Sequence, residues 1–249
     1  MKLYQPINAL RVQLVEMSRL SQRALDYSIK GYQLGSPEFS RSVCSTEREL
    51  EQHHQQIKDI CRKLAARKVT DSADCRFVLI ALRLSDALRT TSRAAVQIAQ
   101  DTPSFFESSR MPRHAALCNL GDLVNSLIRL CIVALFKQEV RHAETVLQSQ
   151  AVWRRCELIF ESMRETNHQT NDDETTDEQD IFESAIARSL GTVARQAHDM
   201  ADAILFWLKE SDRELCFEAN GQDTLNFLFV GSCIITKNLP GLLPPSLVH

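Results

Sequence analysis

Residues 77–100 read FVLIALRLSDALRTTSRAAVQIAQ, and residues 179–202 read QDIFESAIARSLGTVARQAHDMAD. Superposed with Arg93 on Arg195, they coincide at Leu88/Leu190, Thr90/Thr192, Arg93/Arg195, Ala95/Ala197 and Ala99/Ala201. Ile98 falls on Met200, and Leu84 on Ile186. In both stretches the apolar positions recur at three- and four-residue steps, the period of an amphipathic helix. A pattern repeated at fixed offset marks an internal duplication. Two copies of one helical unit are therefore expected.

Working outward, the preceding segments duplicate as well. Leu20 pairs with Leu123, Val43 with Val146 and Ile57 with Phe160, at nearly the same offset. The first helix is expected from Pro6 through Leu10, Leu14, Met17, Leu20, Ala24, Tyr27 and Leu34. Gly35-Ser36-Pro37 ends it and starts the next, since Gly suits C′, Ser an N-cap and Pro the first helical position. The second helix runs to about Arg67 on Phe39, Val43, Leu50, Ile57, Ile60 and Leu64. Its basic end, Lys58, Arg62, Lys63, Arg67 and Lys68, offsets the helix dipole or docks an acidic partner. Thr70 or Asp71 caps the third helix, which is expected to stop near Asp101-Thr102-Pro103.

The fourth helix carries Leu117, Leu120, Val124, Leu127, Ile128, Cys131 and Leu135 over a wide arc, and is expected to be the most buried. The fifth spans about Glu139 to Thr166. Residues 167–180, NHQTNDDETTDEQD, read as a flexible acidic loop before a sixth helix that ends near Lys209. The expected fold is all-α: two tandem three-helix bundles with an irregular C-terminal tail. The units are repeat 1 at 1–102, a linker at 103–113, repeat 2 at 114–210 and an extension at 211–249. Within the extension, LNFLFVGSCII (225–235) is apolar and suits a short strand, a short helix or burial against a partner subunit.

Composition narrows the function. A net charge of −3 in 249 residues gives no field that recruits nucleic acid. Eight cysteines include no C-x-x-C pair, so they read as reduced thiols of a cytoplasmic protein. The N-terminus lacks the pattern of a signal peptide, and no run reaches the roughly 20 apolar residues that span a bilayer. No Gly-rich phosphate loop, nucleophile elbow or paired-Cys motif occurs, so no catalysis is expected.

The layout of long helices, the repeat, and the segments LRTTSRAAVQIA (88–99) and LGTVARQAHDMA (190–201) resemble the PhoU family of phosphate-signalling regulators. The likeness covers roughly residues 5–210 and rests on Leu88, Ala95, Ile98 and Ala99, with Leu190, Ala197, Met200 and Ala201. It implies a cytoplasmic, non-enzymatic regulator, often dimeric, that contacts a phosphate transporter's ATPase, a sensor histidine kinase or both. It also implies an E-x-x-x-D carboxylate pair on each third helix, able to hold iron, zinc or a similar cation.

This chain departs at those positions. Arg89 and Arg93 replace the first pair, and Gly191 and Arg195 the second. Guanidinium carries no acceptor, so no cofactor and no metal are expected there. Arg89, Arg93 and Arg195 are instead candidates for an anion or an acidic partner. The plainer reading gives them salt bridges, for instance to Asp86 or Asp199. His198 with Asp202, and Glu47 and Glu51 with His53 and His54, are weaker ligand clusters read first as charged helix faces. A helical scaffold or dimerisation module without a phosphate role is the alternative function.

Overall fold

The computed structural model describes residues 4–66, 72–108, 115–166 and 174–217. All the elements among them are α-helices: α1 (Tyr4–Leu34), α2 (Pro37–Ala66), α3 (Ser72–Ser108), α4 (Ala115–Lys137), α5 (Val140–Gln148), α6 (Gln150–Thr166) and α7 (Glu174–Phe217). The tail from 218 onward lies outside the described residues.

The first junction is built as its residues dictate. Gly35 takes φ 66°, a conformation open to a residue without Cβ, and its N–H donates to the Gly31 carbonyl at 2.8 Å. Pro37 then opens α2. The expected fifth helix is two pieces. The Ser149 hydroxyl donates to the Val146 carbonyl at 2.6 Å, and the Ser149 N–H reaches the same oxygen at 3.1 Å. Both donors turn back on the preceding turn, which closes α5 before α6 begins.

Two other helix ends differ from expectation. α3 continues past Pro103 to Ser108, although proline has no N–H to offer the Ala99 carbonyl. α7 begins at Glu174, so residues 174–180 of the expected acidic loop are helical. Carboxylates favour a helix N-terminus, which gives this segment a reason to extend the helix.

α1, α2 and α3 pack on one another, and α4, α5, α6 and α7 form the second group. The groups meet where α3 lies on α7 and α1 on α4. One continuous core joins them, including Leu14, Met17, Leu84, Leu88, Ile128, Leu190 and Met200. Two clefts along the α3–α7 seam show its direction. One is lined by Leu79, Ile80 and Arg83 with Ala203, Phe206 and Trp207; the other by Arg83, Ala87 and Thr90 with Gln196, Asp199 and Met200. Advancing along α3 means retreating along α7, so the two helices are antiparallel. Continuing that register places Ser92 opposite Ala194, which are also equivalent in the repeat. A pseudo-two-fold axis therefore crosses the seam at these two buried, small side chains.

The matched positions behave alike. Leu88 and Leu190, and Ala95 and Ala197, are fully buried. The Thr90 and Thr192 hydroxyls each donate to the carbonyl four residues back, at 3.0 and 3.1 Å.

α4 departs from expectation twice. By length and composition it is the one helix among the described residues able to cross a membrane. Its mean hydropathy reaches that level because Asp122 and Arg129 are its only charged residues before Lys137. Yet it packs on α1, α5 and α7, with Leu120, Val124, Ile128 and Cys131 buried. Nor is it the most buried helix, since Leu123 and Phe136 face solvent. Burial is greatest where the repeats meet, along α3 and α7. At Gly121, α1 comes so near that an added Cβ would lie 2.7 Å from Ile29 Cγ1.

Candidate functional site

The third helix of each repeat carries the residues that sequence reasoning selected. Arg89 leans from α3 toward α2, and its Nε donates to Glu51 Oε2 at 2.7 Å. Gln55 Nε2 donates to the other oxygen of Glu51 at 3.1 Å. Partial burial alone pulls the Glu51 carboxyl up; the hydrogen bonds from Arg89 and Gln55 and the Arg89 charge outweigh it, leaving Glu51 below the usual carboxylate range. In the second repeat, Arg195 reaches from α7 to Glu157 on α6 at 3.5 Å and lies over the Trp153 ring, 5.0 Å from its centroid. Each tie joins residues 38 apart in the chain. Arg93, one turn beyond Arg89, is exposed and has no ion-pair partner among the described residues.

Arg89 and Arg195 therefore face outward, each toward the second helix of its own repeat. The fold does not gather Arg89, Arg93 and Arg195 into one pocket. The intrahelical partners suggested by sequence, Asp86 and Asp199, are not the ones used; carboxylates on the neighbouring helix approach more closely.

The other clusters separate too. His53 turns to α1, where Nδ1 lies 2.5 Å from Gln13 Oε1. His54 is fully buried, with Nε2 3.5 Å from Asp86 Oδ1 and neither ring nitrogen hydrogen-bonded among the described residues. Burial first, then the nearby Lys58 and Arg89 charges, hold its pKa below the ordinary imidazole value, against the opposing pull of Asp86 and Glu51. The ring is neutral at pH 7. Among the described residues no three His, Cys, Asp or Glu side chains converge as metal ligands, around His198 and Asp202 or elsewhere.

Sequence reasoning missed two polar features. The first is the cleft of about 200 Å³ lined by Arg83, Asp86, Thr90, Gln196 and Asp199, beside the pseudo-two-fold axis. Its polar residues recur at helical spacing on both third helices, and that stripe was the available signal. The second is the buried Tyr32 hydroxyl, which donates to Glu183 Oε1 at 2.5 Å and links α1 to α7. No local pattern announces a contact 151 residues apart.

Residues 14–102 match the family model described as PhoU domain. Over this segment, the first repeat, the chain is similar to PhoU domains. The PhoU of Pseudomonas aeruginosa superposes with a TM-score of 0.78 at 15% identity, covering 84% of this chain and 100% of that one. The phosphate transport system regulatory protein PhoU of Streptococcus pneumoniae superposes with a TM-score of 0.67 at 14% identity, covering 82% and 95%. At such identity these structures speak for the fold, including the second repeat. No curated protein sequence matches the chain closely enough to count as a relative.

The resemblance drawn from the sequence implies cations at the third helices, and the residues present do not fit them. Positions 89, 93 and 195 carry guanidinium groups, position 191 is a glycine with no side-chain donor, and the Glu51 carboxylate is already engaged by Arg89.

Proposed function

We propose that this chain is a non-enzymatic regulator of phosphate transport and phosphate-starvation signalling. It works in the cytoplasm by protein–protein contact, with a phosphate transporter's ATPase, a sensor histidine kinase or both as partners, and as a homodimer. It needs neither nucleic acid nor insertion into a membrane. One observation carries this reading: the PhoU-domain match of residues 14–102, extended over the second repeat by the shared fold. Among the described residues no arrangement of side chains points to catalysis, and the three thiols Cys61, Cys131 and Cys156 are buried, with pKa values pushed by burial to about 11, 12 and 11. The regulator requires no metal: Arg89 and Arg195 supply fixed positive charge on α3 and α7. Arg93, exposed beside the Arg89–Glu51 tie, is the position best placed to meet an acidic partner.

The test is affinity purification of the full chain from phosphate-replete cells, paired with phosphate uptake in a deletion strain. Recovery of a transporter ATPase or a sensor kinase with derepressed uptake is the expected result. Recovery of neither, with uptake unchanged, overturns it. The arginines at cation positions favour the second reading, a helical scaffold of the same fold without a phosphate role, and that outcome would establish it.

A further inference from the structure

At the end of the α3–α7 seam away from Arg89 lies an apolar groove of about 200 Å³, lined by Leu79, Ile80, Ala203, Phe206 and Trp207 and rimmed by Arg76 and Arg83. Leu79 is 61% exposed and Phe206 66% exposed, on facing helices. Trp207, one of the lining residues, packs on the buried Phe77 with ring centroids 5.9 Å apart. Paired large apolar side chains at a groove are the surface that a chain segment covers.

We propose that this groove is covered in cis by the chain's own C-terminal segment, residues 225–235. Three observations select this occupant over a second copy or a separate partner. The first is reach. α7 ends at Phe217, eleven residues beyond Phe206, or about 16 Å along the helix axis. The seven residues 218–224 span about 23–25 Å when extended, so Leu225 reaches back to Phe206 with length to spare. The second is composition. Residues 218–224 read EANGQDT, in which Asn220-Gly221 is a turn-forming pair suited to reversing the chain just past the helix. The eleven residues that follow, LNFLFVGSCII, include eight apolar ones: Leu225, Phe227, Leu228, Phe229, Val230, Cys233, Ile234 and Ile235.

The third is charge. Glu218 and Asp223 lead into the apolar run with no basic residue before Lys237, and the groove's rim carries the basic Arg83. Tethering adds to all three, because a segment on a short linker competes at an effective concentration of the order of millimolar.

The experiment places a photoreactive benzoylphenylalanine at Leu79 in the full-length chain. A control carries it at Leu158, which is exposed on α6. Labelled and unlabelled protein are mixed before irradiation, and adducts are mapped by mass spectrometry. The expected result is an adduct between position 79 and residues 225–235 of the same isotopic chain, at least ten-fold above that from position 158. Adducts joining different isotopic chains assign the groove to a second copy and overturn the proposal. So does an equal yield from both positions, or a crosslink at 79 that never includes the tail. Loss of the phosphate reading would leave this result untouched, because the assay uses no phosphate and no partner.

Discussion

Replacing Gly121 with alanine tests a close approach between the two repeats. A Cβ built there lies 2.7 Å from Ile29 Cγ1, 2.9 Å from Cδ1 and 3.3 Å from Cγ2. The first of these atoms is bonded to Ile29 Cβ, so the side chain cannot swing clear at its tip alone. Overpacking of this kind costs about 2–3 kcal/mol. Alanine's better helix propensity returns about 1 kcal/mol. The net loss is then about 1–2 kcal/mol, and thermal unfolding should fall by about 3–6 °C for a chain of this size. Ile29→Ala alone costs about 2–5 kcal/mol through the cavity it opens. In that background the clash is gone, and Gly121→Ala should become stabilising by up to about 1 kcal/mol. The sign reversal, read by calorimetry on the four proteins of the cycle, is the decisive quantity. If Gly121→Ala stabilises the wild-type chain, α1 and α4 are not packed as described.

Three other outcomes follow from the same geometry. Arg89→Glu should cost about 0.5–1 kcal/mol from loss of a partly exposed tie, and Glu51→Arg in the same chain should recover most of it; an additive double variant in urea titrations would refute the pairing. His54 has a folded-state pKa below its ordinary value of 6.5, so the unfolded chain binds the proton more readily. Its contribution is complete above about pH 6.5 and is lost as the pH falls toward the folded-state pKa. A His54→Gln variant should therefore show a flatter stability profile between about pH 7 and pH 5, and an unchanged slope would be evidence against the buried neutral ring. A disulfide reagent should label exposed Cys75 in the native protein, while Cys61, Cys131 and Cys156 react only after unfolding; peptide mapping that finds Cys131 among the first sites would contradict its burial.

The duplicated pattern made the helices and their core faces readable, because burial repeats every three or four residues along one strand of text. Leu88, Ala95, Leu190 and Ala197 were recognisable for that reason, and Gly35-Ser36-Pro37 because each residue suits a single role at a junction. The break at Ser149 was not readable: the apolar stripe of Val146, Trp153 and Phe160 runs through it, and only the hydroxyl's competition for the Val146 carbonyl interrupts the helix. Pro103 misled in the opposite sense, since α3 continues to Ser108 although proline offers no N–H. Site residues were harder still. Arg89 could be placed on a face, but its choice of Glu51 over Asp86 depends on how α2 lies against α3. His54 looked like part of a solvated charged face, whereas the second helix turns that position inward.

The seam of α3 against α7 has a consequence for how such a chain can change. Its two halves are fastened side to side along their longest elements, α3 and α7, and share one core there. A change that weakens the packing of α3 on α7 therefore loosens both halves at once, since each lends its longest helix to the common interior.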